Sequence, residues 1–423
     1  MRLTENEVNK EIKRILNDFE KDFDKTSNYT DLTYLKTYCI DDFGTFEVDD
    51  AISLEKINNS FRIWIHIASP SDLLKLGSLL DQEASDQGRT LYFLETVKPM
   101  LPKILVDRCF SLRSRFKSKA LSVSATLNND GSLKAFEVTR SIIKPDYCIN
   151  YEDADELIEL NHPNEDLTKI HELMNLRREW RKSEGAIILD ETIGKFYLRN
   201  NIVDIKYVYP TNSRRLISEC MILMGNIVAK YALNNKISVP YRSMSSSNTY
   251  YDTKKYSMNP TLNNNLVKQK FSKAVISTRP QRHSNLGLDV YLHVTSPIRR
   301  YIDIVSHRQI LFHLDNLQTL PEEYVSNAIH NYEKNNRICN EIENSKKIIT
   351  ITSWLNDNLK VLESYFIKVV MKRLKIVIIY IPAIEMTVSC LLNDIDNLSF
   401  GDKVKLRFLG LNHNLNQLEF FKL

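Results

Sequence analysis

The stretch Ile40-Asp41-Asp42-Phe43-Gly44-Thr45-Phe46-Glu47-Val48-Asp49-Asp50-Ala51 places five carboxylates within ten residues, between strand-like runs and across a Phe-Gly-Thr turn. Like charges this dense destabilise a loop unless a cation or cationic side chains neutralise them. Hard divalent ions such as Mg²⁺ are bound through one or two carboxylates together with substrate phosphate oxygens, which suits the cluster. A solvated acidic loop is the plain alternative. The interleaved Ile40, Phe43, Phe46, Val48 and Ala51 argue against it, because they would draw the loop onto a core.

Around this stretch the pattern is β-type: TYCI from 37, AISLE from 51, FRIWIHIA from 61, ALSVSATL from 120 and AFEVTRSII from 135. Asn128-Asn129-Asp130-Gly131 between the last two predicts a hairpin. Upstream, Val8, Ile12, Ile15, Leu16 and Phe19 recur at helical spacing, which predicts one amphipathic helix and a short connector over residues 1 to about 30. Downstream, residues 152–184 read as helical, ending in LRREWRKSEG with Gly185 as the stop. Residues 213–235 form an apolar core helix, and 296–358 a long helical region broken near Pro321. From about 362 five short strands return, with a Gly-Asp-Lys-Val turn before the fourth. That count predicts a small OB-type barrel, a fold that commonly binds single-stranded nucleic acid. A generic five-stranded β domain fits the pattern nearly as well, because the first two strands lack glycines at their bends.

Composition narrows the class. The chain has 423 residues, 43% hydrophobic and 26% charged, enough for more than one ordinary domain and within the globular range. A net charge of +4, from 57 basic and 53 acidic residues, diagnoses no polyanion partner by itself. The six cysteines are scattered without a CxxC pair, so neither a structural zinc site nor a disulfide framework is expected. The N-terminus MRLTENEVNKEIKR does not read as a signal or transit peptide, and the apolar run Ile376 to Ile381 is too short to span a membrane. A cytoplasmic protein without membrane partners is expected. Glycine is scarce, 10 in all, so Gly44, Gly88 and Gly287 are expected where the backbone demands glycine.

A second motif lies far downstream, in Thr295-Ser296-Pro297-Ile298-Arg299-Arg300-Tyr301-Ile302-Asp303. Thr295 or Ser296 is expected to cap a helix with Pro297 in its first turn, so that the helix N-terminus and the two arginines make a phosphate site. A capped helix beginning with two arginines is also commonplace in purely structural roles.

Together these motifs resemble the catalytic (RNB) domain of the ribonuclease II/R family. That family carries an Asp, a second Asp six residues on, and an Asp-Asp pair two residues later. Asp41, Asp49 and Asp50 match directly, and Glu47 stands where the family has its second Asp. Arg299 matches the arginine of a near-identical Thr-Ser-Pro-Ile-Arg run. Further stretches agree in order: His66-Ile67-Ala68, Asp81 through Gly88, Leu91-Tyr92-Phe93, Pro99 through Pro102, Cys109 through Leu112, Leu121-Ser122-Val123, Asp130-Gly131 and Glu219-Cys220-Met221. Each is weak alone, and a strand histidine such as His66 is more often packed than a ligand. Their collinearity covers residues 36 to 355, roughly three quarters of the chain.

The resemblance implies an α+β fold, a mixed sheet packed with helices followed by a small S1-like OB barrel. The expected units are 1–35 (helix and connector), 36–358 (RNB-type) and 362–423 (barrel). It implies 3′-to-5′ hydrolysis of single-stranded RNA to nucleoside 5′-monophosphates, with Mg²⁺, or Mn²⁺, held by Asp41 and Asp50 and supported by Glu47. Asp49 would touch the terminal nucleotide, Arg299 would stabilise charge on phosphorus, and Tyr92 would stack on RNA. Arg300, Glu219, Thr295 and Ser296 would complete the substrate contacts. Arg108, Arg113, Arg115, Lys117 and Lys119 are candidate backbone-binding cations, or simply solvated charges.

The family's second stacking ring is replaced by Leu189. Some 35 residues before the catalytic segment leave no room for the two cold-shock-type barrels of larger members, which implies weaker RNA affinity and processivity. A monomer without a small-molecule cofactor is expected. The main rival is an RNB-fold RNA-binding protein whose catalysis Glu47 impairs. An assembly subunit using its barrel for protein contacts and a small-substrate phosphatase are the others.

Overall fold

The computed structural model describes residues 5–21, 28–58, 60–160, 166–200, 202–245, 264, 267–268, 271–358 and 361–423. Parts of the expected N-terminal helix and connector, residues 1–4 and 22–27, lie outside the described residues. The chain begins with α1 (Glu5–Lys21), β1 (Thr30–Asp31), β2 (Thr37–Asp41), β3 (Asp50–Ile57), β4 (Ser60–Ala68) and α2 (Leu79–Gln87). There follow β5 (Leu91–Tyr92), β6 (Val97–Lys98), α3 (Lys103–Leu105), β7 (Ser118–Leu127), β8 (Leu133–Ile143) and β9 (Tyr147–Asn150). Next come α4 (Tyr151–Leu160), α5 (Asp166–Ser183), β10 (Ile193–Arg199), β11 (Ile202–Val208), α6 (Asn212–Asn234), β12 (Tyr241–Ser243) and β13 (Val275–Ser277). The last part holds α7 (Tyr301–Leu314), α8 (Glu322–Asn358) and strands β14 (Val361–Met371), β15 (Ile376–Ile381), β16 (Met386–Leu392), β17 (Lys403–Asn412) and β18 (Gln417–Lys422).

The architecture is α+β. A seven-stranded sheet runs in the order β1-β8-β7-β4-β3-β2-β9, antiparallel except where β1 joins β8 and β9 joins β2 in parallel. Because strand side chains alternate, the sheet has two apolar faces to cover. One face carries Ile52, Ile65, Ile67 and Val123 against α4, α5 and α6. The other carries Cys39, Ala51, Trp64 and Ala120 against α1, α2, α7 and α8. Helix α7 is buried continuously from Tyr301 to Leu311, so it is a central core helix with no solvent face over that span. By length and composition α6 could cross a bilayer, but its apolar residues are spent inside this core.

The C-terminal strands close into a five-stranded barrel in the order β14-β15-β16-β18-β17, an OB-like arrangement. The bends that glycines would have supplied are made by register shifts in β14 and in β17 near Gly410. Ile351, Trp354 and Leu355 of α8 insert into the barrel core. The β10–β11 hairpin packs there as well, with Phe196 edge-on to Trp354. A helix that packs on the main sheet is thus also part of the barrel's core.

Two sequence expectations are corrected. The helical region 152–184 is two helices, α4 and α5. The Thr-Ser-Pro-Ile-Arg run is a turn, with α7 starting only at Tyr301. The backbone of Arg300 is extended and bridges to Arg89, Tyr301 N–H donates to Gly88 O, and Thr90 N–H donates to Arg299 O. Segment 88–90 therefore takes the backbone groups that would otherwise have begun the helix. Gly88, at φ +78, makes the positive-φ turn that ends α2 and sends the chain to this contact.

Candidate active site

Antiparallel strands β2 and β3 pair with Thr37 opposite Ser53 and Tyr38 opposite Ile52. Continuing that register brings Asp41, at the end of β2, level with Asp49 and Asp50 at the start of β3. The intervening loop is folded by Thr45, whose N–H donates to Asp42 O and whose hydroxyl contacts Asp41 Oδ1 at 3.2 Å, with Gly44 at φ +80. It is fastened to segment 111–112 by Val48 N–H to Ser111 Oγ, 2.9 Å, and Leu112 N–H to Val48 O, 3.0 Å. Phe46 and Val48 are half-buried, as the interleaving predicts; Phe43 is not, and stands 94% exposed.

Asp49 is buried and joins the two distant motifs. Its Oδ1 accepts from Ile298 N–H at 3.0 Å and its Oδ2 from Arg299 Nε at 3.2 Å, across about 250 residues. The turn 296–300 exposes a backbone N–H that only an acceptor at that spot can satisfy. Burial pushes the Asp49 carboxyl up to about 7 against the opposing charge of Arg299. Burial, then the charges of Asp41 and Asp49, push Asp50 up to about 8. Asp41 is raised as well, chiefly by burial.

One oxygen of Asp50, Oδ2, is buried without a hydrogen-bond partner. A buried carboxylate oxygen held beside two other acids and lacking a donor is what a divalent cation would satisfy. Among the described residues no cluster of three or more His, Cys, Asp or Glu forms a protein-only metal cage. A two-carboxylate site completed by phosphate oxygens is the remaining way for these residues to fit magnesium.

Glu47 is buried and both its oxygens are engaged, Oε1 by Thr90 Oγ1 at 2.9 Å and Oε2 by Tyr92 OH at 2.5 Å. Burial raises the Glu47 carboxyl despite these two donors. The Tyr92 ring is 46% exposed and lines a cleft of about 630 Å³ with Arg299, Lys195, Phe196 and Lys347.

The other expected contacts are turned inward. Arg300 binds Asp303 through Nε and Nη2 and reaches Thr295 Oγ1 at 3.4 Å, while Ser296 N–H donates to Asp303 Oδ2. Thr295 and Ser296 are buried, so the two arginines do not form a joint phosphate site at a helix end. Glu219 is buried in an ion pair with Arg181. His66 is a packed strand histidine between Ser53 and Ser122.

Three residues beside the carboxylates had no local signal in the sequence. Arg214 and Lys195 bind Asp42 at 2.5 and 3.0 Å; these donors outweigh burial and hold Asp42 below its usual range. Tyr151 lies under the Arg214 guanidinium, 3.9 Å from ring centroid to Cζ, and its phenol is raised by burial and by Asp50 and Asp41. All three come from elements that the fold alone brings to the loop.

A family model described as "RNB domain" matches residues 29–316. The chain is 36% identical over 289 residues to an uncharacterized ribonuclease of Synechocystis sp., covering 67% of this chain and 43% of that protein. It is 35% identical over 291 residues to the chloroplastic/mitochondrial ribonuclease II of Arabidopsis thaliana, covering 66% and 36%. The chain thus spans less than half the length of these two relatives. Its fold is similar to that of Mycoplasma genitalium RNase R solved with ribose-methylated single-stranded RNA, with a TM-score of 0.87 at 18% identity, covering 100% of this chain and 76% of that one.

Proposed function

The chain belongs to the RNB-domain family, and on that premise we propose that it is a divalent-metal-dependent 3′-to-5′ exoribonuclease releasing nucleoside 5′-monophosphates from single-stranded RNA. The observation that carries the reading is the junction of Asp49 with Ile298 and Arg299, which sets a guanidinium beside the carboxylate cluster and at the edge of a cleft shared with Tyr92, Lys195 and Lys347. Residues 36–358 are the catalytic unit of this reading and 362–423 an RNA-binding barrel. The proposed enzyme is cytoplasmic, monomeric and free of small-molecule cofactors.

Asp41 and Asp50 would hold the magnesium or manganese ion, with Asp50 Oδ2 as the atom in want of a partner. When bound, that ion screens phosphate charge and makes water a better nucleophile. Arg299, fixed by Asp49 through Nε, stabilises negative charge growing on phosphorus. Asp49 contributes by fixing Arg299, beyond any contact with the terminal nucleotide. Glu47, expected among the metal ligands, instead holds the Tyr92 hydroxyl, which leaves the Tyr92 ring as a stacking surface. The two-oxygen commitment of Glu47 also favours the second reading, an RNB-fold RNA-binding protein with impaired catalysis.

The test is hydrolysis of a labelled oligoribonucleotide against the matching oligodeoxyribonucleotide, with Mg²⁺ or Mn²⁺. Monophosphate release from RNA alone is expected, and Asp49→Asn is expected to lower it by about a hundredfold, the effect of a misplaced catalytic group. Tight RNA binding with no monophosphate released would select the second reading.

A further inference from the structure

Strand β9 is the edge of the main sheet, and its parallel pairing with β2 sets Cys148 directly opposite Cys39. The preceding register pair stacks Tyr147 on Tyr38, ring centroids 5.3 Å apart, so the thiols share the other face. The register pair and the shared face set the two side chains side by side across the β2–β9 pairing. Cys39 is buried and Cys148 exposed. Both line a cleft of about 280 Å³ that also holds Asp41, Asp42 and Thr45.

Adjacent strands lie about 4.8 Å apart. That falls within the Cα separations of about 4.4 to 6.8 Å that a disulfide spans. Among the described residues no strand pairs with the outer edge of β9, so a small adjustment meets no ladder on that side. Cys39 lies two residues before Asp41, and Asp41 is itself paired with Asn150 of β9. A bond that draws β9 onto β2 therefore acts on the strand ends that carry the carboxylate cluster.

We propose that Cys39 and Cys148 are an oxidative modification site, a dithiol that a hydroperoxide converts to a disulfide and that thereby disarms the neighbouring carboxylates. The exposed Cys148 sulfur attacks the peroxide, the O–O bond breaks, and Cys148 becomes a sulfenic acid while the hydroperoxide leaves as an alcohol, or as water from hydrogen peroxide. The Cys39 sulfur then attacks Cys148, the S–O bond breaks, and water leaves with the Cys39 proton. Two thiols lose two electrons and two protons, and one peroxide is reduced. Disulfides of this transient kind occur in otherwise reducing compartments as redox sensors. The disulfide itself is independent of the nuclease reading; its effect on hydrolysis rests on that reading.

The experiment treats the full chain with hydrogen peroxide and maps its peptides without reduction. A Cys39–Cys148 linked peptide is expected, lighter by two hydrogen atoms than its parts and undone by dithiothreitol. Oligoribonucleotide hydrolysis is expected to fall by about tenfold or more, as for a displaced catalytic group, and to return on reduction. Cys148→Ser is expected to hydrolyse RNA as the parent does, to give no linked peptide, and to keep its activity after the same treatment. Cys148 recovered as an unpaired sulfinic acid, or a linked peptide with undiminished hydrolysis, would overturn the proposal. Were the reduced protein inactive on RNA, the nuclease reading would fall separately, and the linked peptide would still decide the disulfide.

Discussion

Glu47 uses its extra methylene for reach. An aspartate at that position is one C–C bond shorter and could not keep both the Thr90 and Tyr92 hydroxyls at 2.9 and 2.5 Å. Losing one such bond at a buried carboxylate costs about 1 to 3 kcal/mol. Glu47→Asp is accordingly expected to lower the urea midpoint and to loosen the Tyr92 ring; an unchanged midpoint would show that Tyr92 stands without it. At this scale the grouping of Asp41, Asp49 and Asp50 was legible, because close charge clustering is a local property of the chain, whereas Arg299 stood out only through the family resemblance of its Thr-Ser-Pro-Ile-Arg run. Arg214, Lys195 and Tyr151 were not, because each reaches the loop only through packing.

The elements follow their patterns wherever a face is buried and depart from them where a tertiary contact outbids the local signal. The β7–β8 hairpin forms at the predicted turn, with Gly131 at φ +83 and its carbonyl accepting from Arg177 at 3.3 Å. A Cβ there would overlap the Leu176 carbonyl of α5. Gly131→Ala is therefore expected to destabilise the protein by about 2 to 3 kcal/mol through strain and overpacking. Chemical denaturation checks this, and a loss under about 0.5 kcal/mol would mean that the tip is not docked. The Ser296–Arg300 turn makes the opposite point. Thr-Ser-Pro is a sound helix start, but Asp49, Asp303 and segment 88–90 take the backbone groups first.

At the scale of the whole molecule, α8 ties the cluster to the barrel. Its Glu343 binds Arg89 and the Tyr92 N–H, and two turns later its apolar residues enter the barrel core. Removing residues 361–423 would bare Ile351, Trp354, Leu355 and Phe196, so the truncated chain is expected to melt lower and aggregate, as light scattering would show. Overall stability should also depend on pH. Asp49 and Asp50 keep protons up to about 7 and about 8 in the fold, but release them near pH 4 when unfolded. Across that window the native state binds more protons than the unfolded one, so stability falls as pH rises. In chelator the melting temperature should drop from pH 5 to about 8, and Mn²⁺ should restore most at the alkaline end. A melting temperature that climbs over that range in chelator would contradict the sign.

The sequence by itself determined the alternation of the sheet strands, the apolar core helix, the five terminal strands and the two chemical motifs, because each is written in local spacing and composition. Tertiary structure alone decided that the second motif is a turn, that Glu47 serves Tyr92, and that Arg214 and Lys195 attend Asp42. Those outcomes depend on which buried donor lies within about 3 Å of which acceptor, and residues up to 250 positions apart compete for that role.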